Sequence, residues 1–401
     1  MWEQIRSNRI RSVILVAFMG LVLLALGYAL GLYFFDSATA GLVLALIVWG
    51  ITNMVAYFQG DSILLSVAGA RKIKREDHPR LFNVVEEMKI ASGMEKMPDI
   101  YIIDDPALNA FATGRDANHA SVAITAGLLQ KLKRDELQGV IGHEMAHIKN
   151  RDVLLMALSA VLLGTIVMLS WYASRFVFFG GMGGGRRGSS RDRDGGGAQI
   201  IVLVIAVVLM ILAPILAQLI YFAISRRREY LADASSALYT RYPEGLASAL
   251  EKLANSDTSV KAANQATAPM YTINPFKKAG MSANSLTATH PAIADRVRIL
   301  RSMSGASYAD YEKAYKELKG KGIIPASAVA AGAVGLRAAE PAAPVEEPGE
   351  QIERARDTSD MLWRMNDYRT IDCQCGTRLR VSPDYAEPSV RCPHCGRIHR
   401  L

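Results

Sequence analysis

The residues with the clearest potential for chemistry are two histidines four positions apart, His143 and His147, with Glu144 between them. On an α-helix, residues four apart lie on one face, so both imidazoles can reach the same tetrahedral zinc ion. The segment from Arg134 contains no Pro and its apolar residues recur at helical spacing, which predicts that helix. Zinc would activate a bound water, and Glu144 would accept its proton and later pass it to the leaving amine. The pattern predicts the centre of a metallopeptidase.

A catalytic zinc ion commonly has three protein ligands and an open position for water, and the third ligand is often a carboxylate from a second helix. Glu229 is the candidate. Asp233, four residues further on, would lie on the same helical face and could accept the free ring N–H of a zinc-bound histidine. The alternative for Glu229 is a solvated member of the charged run 226–229.

A small β-sheet is predicted before the histidine helix. Ile100–Ile103 has the composition of a strand, and Asn109–Thr113 and Ser121–Thr125 flank a turn-rich segment at Gly114–Asn118. The sheet is expected to lie next to the metal.

Several further motifs accompany the histidine pair in a fixed order: Asn109–Gly114, Gly127–Leu129, Ser225–Tyr230, Ala232-Asp233, and Thr289–Pro291 with Arg296 downstream. Over most of residues 1–305, the chain resembles the HtpX-type membrane zinc endopeptidases, relatives of the CAAX prenyl-protein endopeptidases. The resemblance implies a zincin-like catalytic domain that cuts membrane or misfolded proteins at the cytoplasmic face, in protein quality control. In that family an edge strand beside the metal receives the substrate backbone, and the matching substrate-binding residues here are Asn109, Ala110, Phe111 and Ala112.

The oxyanion of the transition state needs a hydrogen-bond donor in addition to zinc. His290 or Arg296 could supply it if the fold brings them near the metal. The favoured alternative for His290 is a helix start, with Thr289 or His290 as the cap and Pro291 in the first turn.

The composition is that of an integral membrane protein: 401 residues, half of them hydrophobic, with a formal net charge of +8. Four apolar stretches approach or exceed the ~20 residues that cross a bilayer. They are Val13–Phe35, Ala38–Phe58, Val153–Tyr172 and Ile200–Ile224. Buried core helices are the alternative for the last two, and a signal peptide is the alternative for the first, although its apolar run is longer than usual.

Basic residues predict the orientation of these spans. They precede the first span, follow the second and follow the fourth, so the catalytic domain is expected to face the cytoplasm of a multi-pass cell-membrane protein. The loop from Gly180 to Gly197 is also basic although this orientation puts it outside, so the hairpin of the last two spans could be only partly inserted.

The C-terminal tail has a composition of its own. Pro325–Gly349 is rich in Ala, Pro and Glu, which predicts a flexible tether. Beyond it, Cys373, Cys375, Cys392 and Cys395 form two pairs that suit a structural four-sulfur zinc ribbon. Two disulfides are the alternative, but the predicted cytoplasmic side is reducing. The ribbon carries several arginines and no series of stacking aromatics, which favours a protein partner over nucleic acid.

The predicted fold is therefore a mainly α integral membrane protein: a helical catalytic domain with a small β-sheet, four transmembrane helices and a small zinc ribbon. Its segments are 1–60 (two spans), 61–152 and 225–320 (the two parts of the catalytic domain), 153–224 (a transmembrane hairpin), 321–365 (a flexible linker) and 366–401 (the ribbon). The expected cofactors are one catalytic and one structural zinc ion. The expected partners are protein or peptide substrates and the lipid bilayer. The alternative function is a membrane-anchored adaptor that binds a partner through the ribbon.

Overall fold

The computed structural model describes residues 2–179, 207–208, 211, 215, 228–261, 271–272, 291–324, 326–329 and 348–401. The protein is mostly helical, with small sheets. The helices are α1 Trp2–Phe35, α2 Ala38–Val67, α3 Pro79–Ser92, α4 Ala126–Lys131, α5 Arg134–Lys149, α6 Asp152–Phe179, α7 228–240, α8 Pro243–Ala254, α9 Ile293–Arg301, α10 Tyr308–Lys319, α11 Ala326–Val329 and α12 Pro348–Met365.

Four strands form the sheet of the catalytic domain: β1 Ala70–Lys72, β2 Asp99–Ile103, β3 Ala110–Asp116 and β4 His119–Thr125. Their order is β1-β2-β4-β3, and β2 and β4 are parallel while the other pairs are antiparallel. β3 is therefore an edge strand. Alternate residues of β3 enter different clusters: Ala110 and Ala112 join the core on the α5 side, and Phe111 joins a second cluster with α2 and α6.

Helix α5 has two acidic residues in its first turn, which favours the start of a helix there. The helix is buried along most of its length. Asp135 and Glu136 occupy its first turn, where carboxylates interact favourably with the helix dipole. Glu136 also accepts a hydrogen bond from the backbone N–H of Lys133 at 2.8 Å. The apolar residues of α5 pack against α3, α8 and β3. The helix that carries the histidine pair is thus fixed at the centre of the domain.

Among the described residues, α2 is the one helix long and apolar enough to cross a membrane, and Val16–Leu32 of α1 is a shorter apolar segment. α1 and α2 pack closely, since a Cβ on Gly41 would lie 2.1 Å from the carbonyl oxygen of Gly27. α2 continues beyond the predicted span end at Phe58 to Val67, because Leu64 and Leu65 are buried against the catalytic domain. The predicted third span falls within α6, and the predicted fourth lies largely outside the described residues.

The tail differs from the flexible linker predicted for 321–365, because residues 348–365 form α12. This helix is amphipathic and buries Met361 completely in the core of the catalytic domain. Arg364 donates to the backbone oxygen of Asp77, and Arg71 donates to the backbone oxygen of Met365, each at 2.8 Å. Two antiparallel hairpins follow: β5 Arg369–Asp372 with β6 Arg378–Val381, and β7 Ser389–Arg391 with β8 Ile398–Arg400.

Candidate metal centre

Helices α5 and α7 bring His143, His147 and Glu229 together, and all three are buried. The two Nε2 atoms are 3.2 Å apart. The carboxylate of Glu229 reaches both rings. Its Oε2 lies 3.5 Å from Nε2 of His143, and its Oε1 lies 3.5 Å from Nε2 of His147. One nitrogen from each histidine and a carboxylate oxygen converge within 4.8 Å of one another, which fits the donor set and spacing of a zinc site.

The other ring nitrogen of each histidine contacts a buried carboxylate. Nδ1 of His143 lies 3.0 Å from Asp233 on α7, as the sequence predicts for that residue. Nδ1 of His147 lies 3.1 Å from Asp152 at the start of α6. Each contact holds the proton on Nδ1 and turns the Nε2 lone pair toward the common point.

The same contacts also affect the protonation of the two histidines. Burial alone would lower the pKa of both histidines, but their hydrogen bonds to carboxylates outweigh it. The pKa of His143 is raised, and that of His147 is raised to about 10 through Asp152 and Glu229. The buried carboxylates therefore favour positive charge at this centre, which a bound metal ion would supply.

Arg296 of α9 lies behind the ligands, fully buried. Its guanidinium donates to both oxygens of Asp233, at 2.8 and 2.6 Å, and approaches Glu229 to 3.4 Å. Burial would raise the pKa of Asp233, but Arg296 and the hydrogen bond to His143 lower it below its usual value. The position of Arg296 suits support of the ligands, whereas the sequence suggested a transition-state donor. His290, the other suggested donor, lies outside the described residues.

Glu144 lies beside the histidines on α5 and faces the edge strand β3. Its Oε1 accepts a hydrogen bond from the Thr272 hydroxyl at 2.8 Å, and that hydroxyl is also 2.9 Å from the backbone oxygen of Ala110. Asn109 precedes the strand, and its side chain accepts from the N–H of Ala110 at 3.1 Å. Thr272 thus links the carboxylate proposed as base to Ala110, one of the four residues, Asn109 to Ala112, proposed to bind substrate.

Comparison with known proteins agrees with this geometry. The model of peptidase family M48 matches residues 75–304, which span every element of the metal centre. The chain belongs to peptidase family M48. It is 44% identical over 302 residues to a protease HtpX homolog of Dictyoglomus turgidum, covering 75% of this chain and 94% of the relative. It is 40% identical over 303 residues to a protease HtpX homolog of Streptococcus uberis, covering 76% and 100%.

Among solved structures, the crystal structure of Ste24p from S. mikatae aligns with 74% of this chain and 66% of Ste24p. The alignment has a TM-score of 0.37 at 18% identity.

Membership in family M48 makes the chain a metalloprotease, and the buried cage of two histidines and one glutamate, which could hold a metal ion, lies within the residues that match the family. Two residues of this site, Asp152 and Thr272, are not predicted by any sequence motif. Asp152 follows the histidine helix after a turn at Arg151, whose φ of 60° directs the chain back toward His147. Thr272 belongs to no recognisable motif. A search for carboxylates just beyond the histidine helix could have found Asp152.

The four cysteines form a second cluster outside the residues that match the M48 family. Their Sγ atoms lie within 4.8 Å of one another. The closest pairs are Cys373 with Cys395 at 3.4 Å and Cys375 with Cys392 at 3.7 Å. A disulfide requires about 2.05 Å between sulfurs, so these distances fit four thiol ligands around a metal and not two disulfides.

Proposed function

We propose that the protein is a membrane-bound zinc endopeptidase that hydrolyses peptide bonds of membrane or misfolded proteins at the cytoplasmic face. The observation that carries the proposal is the convergence of His143, His147 and Glu229 beside Glu144, which Thr272 links to the edge strand β3. An adaptor without peptidase activity would have no need of this complete arrangement.

His143, His147 and Glu229 would hold the catalytic zinc ion. When bound, zinc supplies a Lewis acid that polarises the scissile carbonyl and makes water acidic enough to be deprotonated near neutral pH. Glu144 takes the proton from the attacking water and passes it to the leaving amine. Asp233 and Asp152 keep the two imidazoles oriented throughout, and Arg296 neutralises the buried charge of Asp233 and Glu229.

The substrate would bind as an added strand on β3. In an antiparallel pair, backbone groups point alternately toward the partner strand and away from it. The carbonyl oxygen of Asn109 accepts a hydrogen bond from the backbone N–H of Thr125 on β4. The backbone N–H and C=O groups of Ala110 and Ala112 therefore point away from β4, toward the outer edge of the sheet. A peptide paired there would lie next to Glu144, which is the placement that hydrolysis of its backbone requires.

Membrane attachment is supported by the surface of α2. Val43, Leu44, Ile47, Ile51 and Phe58 are more than half exposed, so this helix is apolar on the side away from the protein. Water disfavours such a surface and a bilayer accommodates it. The basic residues that follow α2 favour a cytoplasmic position of the catalytic domain under the positive-inside rule. The four-span arrangement remains part of this proposal.

We also propose that the cysteine cluster holds a structural zinc ion. Four sulfur ligands leave no position for water, so this ion would stabilise the two tail hairpins without taking part in hydrolysis. The arginine-bearing surface of the ribbon would then be available to dock a protein partner. We expect Cys375→Ser to lose one zinc ion per chain and to retain peptidase activity.

The test of the peptidase proposal compares wild type with Glu144→Gln, purified in detergent with equal zinc content, on an unfolded model protein. Gln keeps the size of Glu144 but cannot accept the proton, so cleavage should fall by about 10²-fold or more. Equal activity of the two proteins would refute Glu144 as the base. Inactive, fully zinc-loaded wild type would favour the adaptor.

A further inference from the structure

Tyr271 and Thr272 lie against the edge of β3. The backbone N–H of Thr272 donates to the carbonyl oxygen of Ala110 at 2.9 Å. Its hydroxyl lies 2.9 Å from the same oxygen and 2.8 Å from Oε1 of Glu144. Its own carbonyl accepts from Nη1 of Arg296 at 3.3 Å. This one residue thus contacts the strand edge, the proposed base and the arginine behind the ligands.

The contact with Ala110 is the one that a substrate would make. A peptide that extends a sheet by strand addition donates its N–H groups to the carbonyls that face the free edge. The Ala110 carbonyl is such a group, and Thr272 already uses it. The Thr272 hydroxyl likewise stands at hydrogen-bond distance from Glu144, where a water would give up its proton.

Tyr271 fills an apolar pocket on the other face of the sheet. The residue is 1% exposed, and its ring packs edge-on against Phe111 with 5.2 Å between centroids. Leu64 and Leu65 of α2 and Met156 of α6 belong to the same cluster. The Tyr271 hydroxyl has no hydrogen-bond partner among the described residues, although buried tyrosine hydroxyls normally have one. The pocket is therefore complementary to an aromatic ring and not to the hydroxyl group that a tyrosine carries.

We infer that Tyr271 and Thr272 occupy the position of a bound peptide, and that the pocket at Phe111 is a substrate subsite for an aromatic or large aliphatic side chain. The inference rests on the proposed peptidase function and specifies its substrate preference. A peptide must displace both residues to pair with β3 and to bring its scissile bond to Glu144. The contacts of Thr272 consequently hold the protease in a closed state until a suitable peptide competes for the edge.

The test measures peptide binding in the Glu144→Gln background, so that no turnover is needed. Fluorescent peptides identical except for Phe, Leu, Ala or Asp at one position are titrated into the full-length, zinc-loaded protein in detergent. Tyr271→Ala empties the pocket, and Thr272→Pro removes the N–H that donates to Ala110. The controls are Tyr385→Ala on the exposed tail and Thr258→Pro in an exposed loop.

Thr272→Pro should bind the Phe peptide roughly two- to tenfold more tightly, the range that corresponds to one lost hydrogen bond of the competing segment. Tyr271→Ala should bind it at least as tightly as Thr272→Pro does, because the competing segment loses the burial of an aromatic ring. Both controls should bind it as the parent does. The Phe and Leu peptides should bind more tightly than the Ala and Asp peptides. Melting temperature and zinc content establish that each variant is folded, and either test variant suffices if the other fails to fold.

The inference is overturned if a folded test variant binds the Phe peptide no more tightly than its parent, or if the four peptides bind equally. A separate outcome concerns the proposed function alone. If the chain with Glu144 intact binds peptides in this order but cleaves none, hydrolysis is refuted and the assignment of the subsite stands.

Discussion

Buried carboxylates determine the arrangement of the metal centre at the scale of single residues. Asp233 lies between His143 and Arg296, and Asp152 contacts His147. An isolated buried carboxylate would be strongly unfavourable, but each of these has a positively charged or N–H-donating neighbour. The ligand geometry therefore depends on residues that never touch the metal.

Asp152→Asn tests this dependence at His147. The amide can present its NH₂ group to Nδ1 and no longer holds the proton there, so the Nε2 lone pair is less available. Zinc affinity should fall by about 10- to 100-fold, the usual effect of losing such a partner. The measurement is competition with a chromophoric chelator. Asp257→Asn, at an exposed position, is the matched control and should bind zinc as wild type does. Unchanged affinity in Asp152→Asn would show that His147 needs no such partner.

The sequence predicted the residues that share a helix with a motif. Helical spacing related His143 to His147, and Glu229 to Asp233, and the structure brings these four together. The contributions of Asp152 and Thr272 depend on a backbone turn and on a long-range contact, and neither has a periodic signal. The role of Glu144 as a base stays a prediction.

At the scale of elements, the centre requires a very close approach of helices. A Cβ on Gly139 of α5 would lie 2.6 Å from the backbone nitrogen of Leu246 on α8. The carbonyl of Gly139 also accepts from Ser236 of α7 at 2.7 Å. α7 carries Glu229, so this hydrogen bond links the helix of the third ligand to the helix of the histidines.

Gly139→Ala should destabilise the protein by about 1 to 3 kcal/mol, because the added methyl group meets backbone atoms that cannot rotate away. Gly164→Ala in α6 is the control, since no atom of the described residues lies within 4 Å of its added Cβ. Alanine there should leave stability unchanged or raise it by about 0.4 to 1 kcal/mol. Thermal unfolding compares the two, and equal melting temperatures would contradict the close-packing argument.

The first tail hairpin, β5–β6, is attached to α12 by Asp360, which accepts hydrogen bonds from Arg378 and from Arg380, the latter at 2.6 Å. Burial would raise the pKa of Asp360, but the two arginines lower it below its ordinary value of 3.8. A carboxyl with a lowered folded-state pKa stabilises the fold above its unfolded pKa and loses that effect as pH falls through the folded value.

The attachment should therefore be intact at neutral pH and weaken below about pH 4. The fluorescence of Trp363 should report this attachment, since the Arg380 guanidinium lies 5.3 Å from the centroid of the Trp363 ring. Trp363 fluorescence, taken as the difference from Trp363→Phe, should change in that acidic range. Asp360→Asn should produce the change at neutral pH, at a cost of about 1 kcal/mol. Identical fluorescence of Asp360→Asn and wild type would exclude the attachment.

At the scale of the whole molecule, α12 joins the tail to the catalytic domain. Composition predicted a flexible linker through 365, because the Ala- and Pro-rich part obscured the amphipathic pattern that follows it. Met361 is fully buried in the catalytic core, and Arg71, just after the apolar helix α2, donates to the backbone oxygen of Met365. Long-range packing of this kind is not visible in local composition.

Two truncations distinguish a packed helix from a tether. A chain that ends at Asn366 keeps α12, and a chain that ends at residue 347 lacks it. The shorter chain should lose at least about 2 kcal/mol, the burial of Met361 alone, and should melt roughly 4 to 8 °C lower. The chain that ends at Asn366 should melt at the same temperature as the catalytic domain of the full-length protein. Equal melting of both truncations would mean that α12 contributes nothing to the catalytic domain.

Return of peptidase activity as zinc is added back to the chelated protein tests the central claim most directly. It is best done in Cys375→Ser, where the cysteine site is removed. Activity should reappear with one zinc ion bound per chain, and the same chain carrying Glu229→Gln should regain little at that stoichiometry. Activity that survives chelation, or full recovery with Glu229→Gln, would contradict a catalytic zinc held by His143, His147 and Glu229.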